Sequence, residues 1–387
     1  MTSTIGVKKI QHPNGTDILT LDSSGTLAIG GNITSNITTT GTVNTPSING
    51  AQIGGRRNII INGAMQVAQR GTSFSLSGTA DTFITDRFLI SNSDTGAWTA
   101  SQSTDSPTGF SNSLKMDCTT ADTSPTFLSL MTRFEGQDLQ HLKKGTSSAE
   151  KTTLSFFVKS NKTGTYIAEL RDIDNNRTIG KAYTISSADT WEQKIITFDG
   201  DTTGAFDNDN GNSLQIIWYL AVGSVYNSGT LATSWGSRVN ANTAVGQVNL
   251  ADSTDNEWYI TGIQLEVGSQ ATPFEHRSFA EELALCQRYF EFVNGGIDAG
   301  MSVSTSSVQF VYRYRVDKRA SATAALVGTP LINDGTQQSN INSVANTYHS
   351  FTSGTYLDLS TGTVNNNDTV LIYSNSATAG FSFDAEL

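Results

Sequence analysis

The chain has 387 residues, room for two or three domains at roughly one per 100–200 residues. Charged residues make up only 15% and the formal net charge is −11, so Ser, Thr, Asn and Gly supply the polarity. That balance argues against a nucleic-acid backbone or an anionic membrane as main partner, since both require clustered Lys and Arg. The basic runs Arg56-Arg57, Lys143-Lys144 and Arg313 to Arg319 are short and read as solvated faces. No stretch approaches the ~18 apolar residues of a membrane span. MTSTIGVKKI has no apolar run behind its lysines, so synthesis and folding in a cytoplasm are expected. Cys118 and Cys286 lie far apart on apolar faces and read as free buried thiols.

From the start to Phe74 there is no aromatic residue. Ile, Val and Leu are spaced there between Gly, Asn, Ser and Thr, with turn signals at Asp22-Ser23-Ser24-Gly25 and Gly30-Gly31. Such a segment cannot bury enough apolar area to offset a backbone ordering cost of roughly 1–2 kcal/mol per residue. It is either a disordered tail or a segment ordered by winding around copies of itself, and the spaced β-branched residues favour the second.

From Arg56 the texture is that of a globular β domain. Leu154, Phe156 and Val158 alternate with Ser155, Phe157 and Lys159. Leu214 to Val222 is apolar on both faces, which suits a central strand covered on both sides. Short strands and Asn/Asp/Gly turns over about two hundred residues predict a sandwich or jelly roll. In WYITGIQLEV, Tyr259, Ile263, Leu265 and Val267 are expected on one face of a half-buried strand. Ser278 with Glu281 three residues on forms a capping box, and Phe279, Leu283, Cys286, Phe290 and Val293 follow at helical spacing. A linking helix is therefore predicted over 278–293. Beyond it, Val308, Phe310, Tyr312, Tyr314 and Val316 alternate with polar residues, and a small C-terminal β sandwich is expected over 294–387.

The segments RRNIIINGAMQVAQRGTS (56–73), TDRF (85–88), RFEGQDLQHLKKGT (133–146), LSFFVKSNKTGTY (154–166) and GIQLEVGSQATPFEHRSFAEELALCQRYFE (262–291) resemble a family of bacteriophage tail-fibre and virion proteins. The closing DAEL is similar too, and Phe88 stands where that family often carries tryptophan. The resemblance covers roughly 56–292 well. It implies an all-β chain made of an intertwined N-terminal fibre segment (1–55), a carbohydrate-binding-like jelly roll (56–277), the linking helix and a C-terminal domain that can serve as a distal receptor-binding tip. It further implies a homotrimer that joins other virion proteins through its N-terminal segment, sits on the virion, and attaches to a host surface glycan. A purely structural fibre and a polysaccharide depolymerase are the alternatives.

The residues offer no catalytic motif: His12, His141, His276 and His349 show no ligand spacing, and no enzyme is expected. Glu135, Glu169, Glu192, Glu257 and Glu266 are undistinguished candidates for a depolymerase carboxylate pair. Asp172, Asp174, Asp207 and Asp209 offer oxygens on turns and are weak candidates for Ca2+, though Asx turns explain them equally well; no other cofactor is expected. A pyranose stacks its C–H face on an aromatic ring while amides and carboxylates bond its hydroxyls. Trp98 and Trp235, in Ser/Thr/Gly-rich stretches, and Tyr348, His349 and Tyr356, in polar, loop-like surroundings of the last domain, are the glycan-binding candidates.

Overall fold

The computed structural model describes residues 56–387 throughout, and before them only the backbone of five short strands. The chain forms two compact units, 1–46 and 47–387. In the first, β1 (Lys9–Gln11), β2 (Asp17–Leu21) and β3 (Leu27–Ile29) make a three-stranded antiparallel sheet. In the second, β4 (Ser47–Ile48) pairs with β5 (Ala51–Gln52). The expected intertwining of 1–55 otherwise lies outside the described residues. The chain is all-β, as its texture predicts.

Eleven strands follow as one antiparallel sheet. They are β6 (Ser73–Phe83), β7 (Leu89–Ser103), β8 (Ser113–Thr120), β9 (Phe127–Glu135), β10 (Thr152–Ser160), β11 (Gly164–Asp172), β12 (Arg177–Ile185), β13 (Glu192–Phe198), β14 (Asn212–Val222), β15 (Gly236–Ser237) and β16 (Glu257–Val267). The order is β13-β10-β16-β8-β7-β9-β14-β11-β12-β15, with β6 on the other side of β7. The sheet folds into two layers at β7. Its first part, Leu89 to Ser93, pairs with β9, and its last, Ala97 to Ser103, pairs with β8. The bend falls where Asp94 (φ 49°), Gly96 (φ 64°) and, in β6, Gly78 (φ 68°) adopt left-handed conformations. A side chain at Gly96 would meet the Thr120 carbonyl oxygen at 2.3 Å, so only glycine fits that corner.

Between the layers lie Leu154, Phe156 and Val158 with Trp98, Trp218, Trp258 and Phe88, all buried. The rings of Phe156 and Trp218 meet edge to face with centroids 5.9 Å apart. β14 is apolar on both sides because its outer residues Ile217 and Tyr219 pack with Leu89, Met131, Ile167 and Ala244 in a second cluster. In β16 the alternation breaks at Gly262 (φ 61°), next to a shift in the β10 ladder between Ser155 and Phe157. Ile263 and Leu265 therefore enter the core while Tyr259, expected beside them, leans outward on Trp191.

The helix α2 (Phe279–Gln287) follows the four-residue turn α1 (Ser224–Asn227) in chain order and starts where the cap predicts: Ser278 Oγ accepts the Glu281 amide at 3.3 Å. It is shorter than expected. Phe290 and Val293 belong to a strand, β17 (Phe290–Val293), because β25 (Gly380–Asp384) pairs with them. The buried face is also rotated: Phe279 is 56% exposed, while Glu282 and Cys286 point inward. Glu282 Oε1 accepts the Asn62 amide at 2.5 Å and a hydrogen bond from Arg277 at 3.3 Å.

The C-terminal region takes the form of a closed six-stranded barrel with a three-stranded sheet beside it. β18 (Gly296–Ser304), β19 (Ser307–Arg313), β21 (Leu331–Asn333), β22 (Gln338–Ser350), β23 (Gly354–Thr361) and β24 (Thr369–Tyr373) close in the order β18-β19-β23-β22-β21-β24. The flanking sheet is β17-β25-β20, with β20 at Thr323–Val327. Val308, Phe310 and Tyr312 point into one core with Leu357, Leu359, Ile372, Phe381 and Phe383. Val370 and Ile372 are buried and Leu371 is 53% exposed, so β24 turns Val370 and Ile372 to the core.

Candidate functional site

The outer wall of the barrel gathers two of the five aromatic candidates. β19 pairs with β23 so that Gln309 lies opposite Asp358 and Val311 opposite Tyr356. β22 lies on the other side of β23, with Asn346 opposite Asp358 and His349 opposite Tyr356. The β22–β23 ladder shifts between Thr347 and His349, and this irregularity aims Tyr348 at Tyr356. Their ring centroids are 5.0 Å apart, inclined at 36°. Polar groups tie the two rings together. Tyr348 Oη donates to Asp358 Oδ2 and accepts from Gln309 Nε2, both at 3.2 Å, and Tyr356 Oη donates to Gln309 Oε1 at 2.5 Å. Asn346 Nδ2 donates to the same Asp358 oxygen at 3.4 Å. Desolvation, and then the hydrogen bond to the Asp358 carboxylate, hold the Tyr348 hydroxyl above the usual phenol range.

Tyr348 is 45% exposed, and Met301 and Val311 are exposed on the same wall. An aromatic pair with a carboxylate and two amides at its edge can hold a sugar ring by its C–H face and its hydroxyls. Gln309, Asn346 and Asp358 went unnoticed in the sequence. For Gln309 and Asp358 the signal is the alternation of β19 and β23 around their buried apolar residues, whereas Asn346, on the mostly exposed β22, carries none.

The remaining candidates do not join this pair. His349 stacks on Phe351, with centroids 5.8 Å apart, and makes no part of the tyrosine pair. Trp98 is a correction: it is 1% exposed, sits in the sandwich core, and donates from Nε1 to the Thr95 carbonyl at 2.8 Å. Its small neighbours line the β7 corner rather than a surface loop. Phe88 is equally buried, which removes it as a stacking residue. Trp235 is half-buried beside a cavity of about 20 Å³, room for a single water and not for a sugar ring.

The calcium candidates do not converge. Asp172 is buried, and its Oδ2 meets the Lys144 ammonium at 2.5 Å. Lys144 also lies 3.2 Å from Asp201 Oδ2 and donates to the carbonyl oxygens of Gly204 at 2.6 Å and Thr203 at 3.0 Å. Two carboxylates and two carbonyls thus surround an ammonium where a metal would need them, and the solvated face expected for Lys144 is corrected. Asp174 accepts the amide of Asp207 at 3.0 Å and so ties two loops together, and Asp209 caps its own turn by accepting the Gly211 amide at 2.8 Å. Among the described residues no cluster of three or more His, Cys, Asp or Glu side chains could hold a metal ion.

The five glutamates are each engaged. Glu135 is clasped by Arg288, Glu169 accepts from Tyr219 and Thr178, Glu192 accepts the amides of Ser186 and Ser187, and Glu266 bonds Thr272. Glu257 faces Asp117 across the β8–β16 ladder, with Lys115 Nζ 2.5 Å from the first and 3.4 Å from the second.

A comparison with protein-family models gave no match, and one with curated proteins gave none. Among solved structures, the chain is similar to the enzymatically active domain of tailspike protein 4 of bacteriophage CBA120, at 15% identity and a TM-score of 0.30. That likeness covers 54% of this chain and 21% of the tailspike chain, about a fifth of its length. It is also similar to a putative sugar-binding protein of Bacteroides thetaiotaomicron, at 12% identity and a TM-score of 0.28, over 55% of this chain and 100% of the other. A third likeness is to the CBM22-1 and GH10 modules of a Clostridium thermocellum endo-1,4-beta-D-xylanase, at 11% identity and a TM-score of 0.27, covering 50% and 28% of the two chains.

Proposed function

We propose that this chain is a phage fibre protein that attaches the virion to its host by binding a surface glycan. The observation that supports this best is the Tyr348–Tyr356 pair with Asp358 and Gln309 at its edge. The pair lies on the outer wall of the barrel with Tyr348 45% exposed, a position suited to the flank of a long polysaccharide. One such site binds weakly. In a homotrimer, with the N-terminal segment joined to other virion proteins, linked sites would raise the apparent affinity by about 10²–10⁴. In this reading the chain is made in the host cytoplasm, works on the virion and performs no catalysis.

The purely structural alternative draws on the exposed Met301, Val303 and Leu371 of the same barrel, which also suit contact with another protein. Blocking of adsorption by purified protein separates the two. The intact chain should stain host cells and block adsorption, and the Tyr348→Ala, Tyr356→Ala double variant should lose both. Staining that persists unchanged in the double variant would remove this site from the reading, and no staining by the intact chain would favour the structural role.

A further inference from the structure

A second opening lies away from the barrel wall. It is a cleft of about 590 Å³ between the loop Ala68–Gly71 of the sandwich and the β17-β25-β20 sheet. This volume falls within the roughly 300–1,000 Å³ of small-molecule sites, which favour such junctions between packed substructures.

Its walls have a distinct chemistry. Phe292 and Val327 are half-buried and leave apolar surface in the cleft, with Phe290 deeper. Ser382, Thr378 and Asn294 bring two hydroxyls and an amide to the rim. The Asn294 amide nitrogen is already spent on the Ala377 carbonyl at 2.8 Å, which leaves its oxygen free to accept. Arg70 forms one side, its guanidinium 3.5 Å above the centre of the Phe290 ring.

Arg70 does not make this an anion site. Its Nη2 lies 3.1 Å from Asp384 Oδ2 and 3.4 Å from Glu386 Oε1, and its Nη1 lies 4.0 Å from Asp86 Oδ1. Asp86, Asp384 and Glu386, the last shared with buried Arg87, balance the guanidinium charge and leave no surplus positive charge to draw an acidic ligand. An apolar floor, a rim of hydroxyls and amides, and a neutralised arginine together select an uncharged compound with one C–H face and many hydroxyls.

We propose that this cleft binds a short neutral saccharide, such as the terminal unit of a glycan chain, as a second site distinct from the barrel wall. The inference rests on the saccharide-binding reading above and adds a different geometry: the wall takes the flank of a chain and the cleft takes its end. Ligands at the cleft touch both the sandwich and the C-terminal sheet, so occupancy also braces that junction.

The probe is a panel of neutral mono-, di- and trisaccharides titrated calorimetrically into the full chain, alongside host polysaccharide. Ser382→Trp would fill the cleft, and Phe292→Ala, which adds no bulk, would remove its floor. Both are expected to lower affinity for the short saccharides at least tenfold, while the Tyr348→Ala, Tyr356→Ala variant retains it. The bound saccharide should also raise the thermal midpoint of the intact chain and not that of Ser382→Trp. If the intact chain binds no short neutral saccharide, or if folded Ser382→Trp and Phe292→Ala bind as the parent does, the inference fails. Loss of polysaccharide binding in the tyrosine variant would then still uphold the barrel-wall reading.

Discussion

Arg288 clasps Glu135 with two parallel hydrogen bonds, Nε to Oε1 at 2.7 Å and Nη2 to Oε2 at 2.6 Å. Glu135 ends β9 of the sandwich, and Arg288 follows α2, so the pair joins the sandwich to the segment leading into the barrel. Burial pushes the Glu135 carboxyl up, and the hydrogen bonds from Arg288 and Tyr289 pull it below the usual range. Glu135 is fully buried and Arg288 is not. Arg288→Ala should therefore cost about 3–5 kcal/mol by leaving a buried carboxylate unpaired, and Glu135→Ala less. Urea midpoints of the two single variants and the double variant measure this. Equal costs would contradict the asymmetry.

The Lys144 ammonium holds apart Asp172 and Asp201, both buried. Lys144→Met should destabilise the sandwich by about 3–5 kcal/mol, since buried Asp172 loses its counter-ion while Asp201 keeps its two hydrogen bonds from Arg177. Lys144→Ser leaves the oxygens and opens space, and millimolar calcium should raise its thermal midpoint while leaving the parent unchanged. Equal calcium responses in both proteins would show that the oxygens do not form a cation cage.

Asp86 sets a pH dependence of the opposite sign to that of an exposed ion pair. Burial, opposed by Arg70, raises its carboxyl from 3.8 to about 6. The folded state then binds this proton more tightly than the unfolded one. Its contribution to stability falls as pH rises from 3.8 to about 6, and its cost is complete above that window. At 1.36 kcal/mol per pKa unit the cost is about 3 kcal/mol. Asp86→Asn should gain on the parent by about 2–3 kcal/mol between pH 4 and pH 7.5, read from urea midpoints. A gap that does not change with pH would rule out Asp86 as the source.

Gly262 keeps β16 in register at its irregularity. A side chain there would meet Phe110 Cζ at 2.6 Å and Phe157 Cδ2 at 3.0 Å, on a backbone with φ 61°. Gly262→Ala should cost about 1–3 kcal/mol from strain and overpacking. The thermal midpoint of the variant is the measurement, and an unchanged value would mean that the strand can flatten without loss.

Much of the β architecture was legible because it is periodic and local. Leu154, Phe156 and Val158 enter the core as their alternation requires, and β14 is covered on both faces as its unbroken apolar run requires. Ser278 starts α2 because a cap acts on backbone amides within three residues. The extent of that helix was not legible. Phe290 and Val293 continue its spacing, yet a strand from the chain's last residues pairs with them, and no local pattern records so distant a partner.

The candidate site divides along the same line. By itself the sequence determined that the chain is all-β and that Tyr348 and Tyr356 lie in polar surroundings, which the structure shows to be strands and not loops. Only the tertiary structure decided that they meet, because a shifted β22–β23 ladder turns one ring toward the other and brings Gln309 in from β19. It also decided that Trp98, among small polar residues, is core, because β7 bends there and the second layer closes over it. Exposure is a property of what packs above a residue, and neighbours in sequence specify only the strand beneath it.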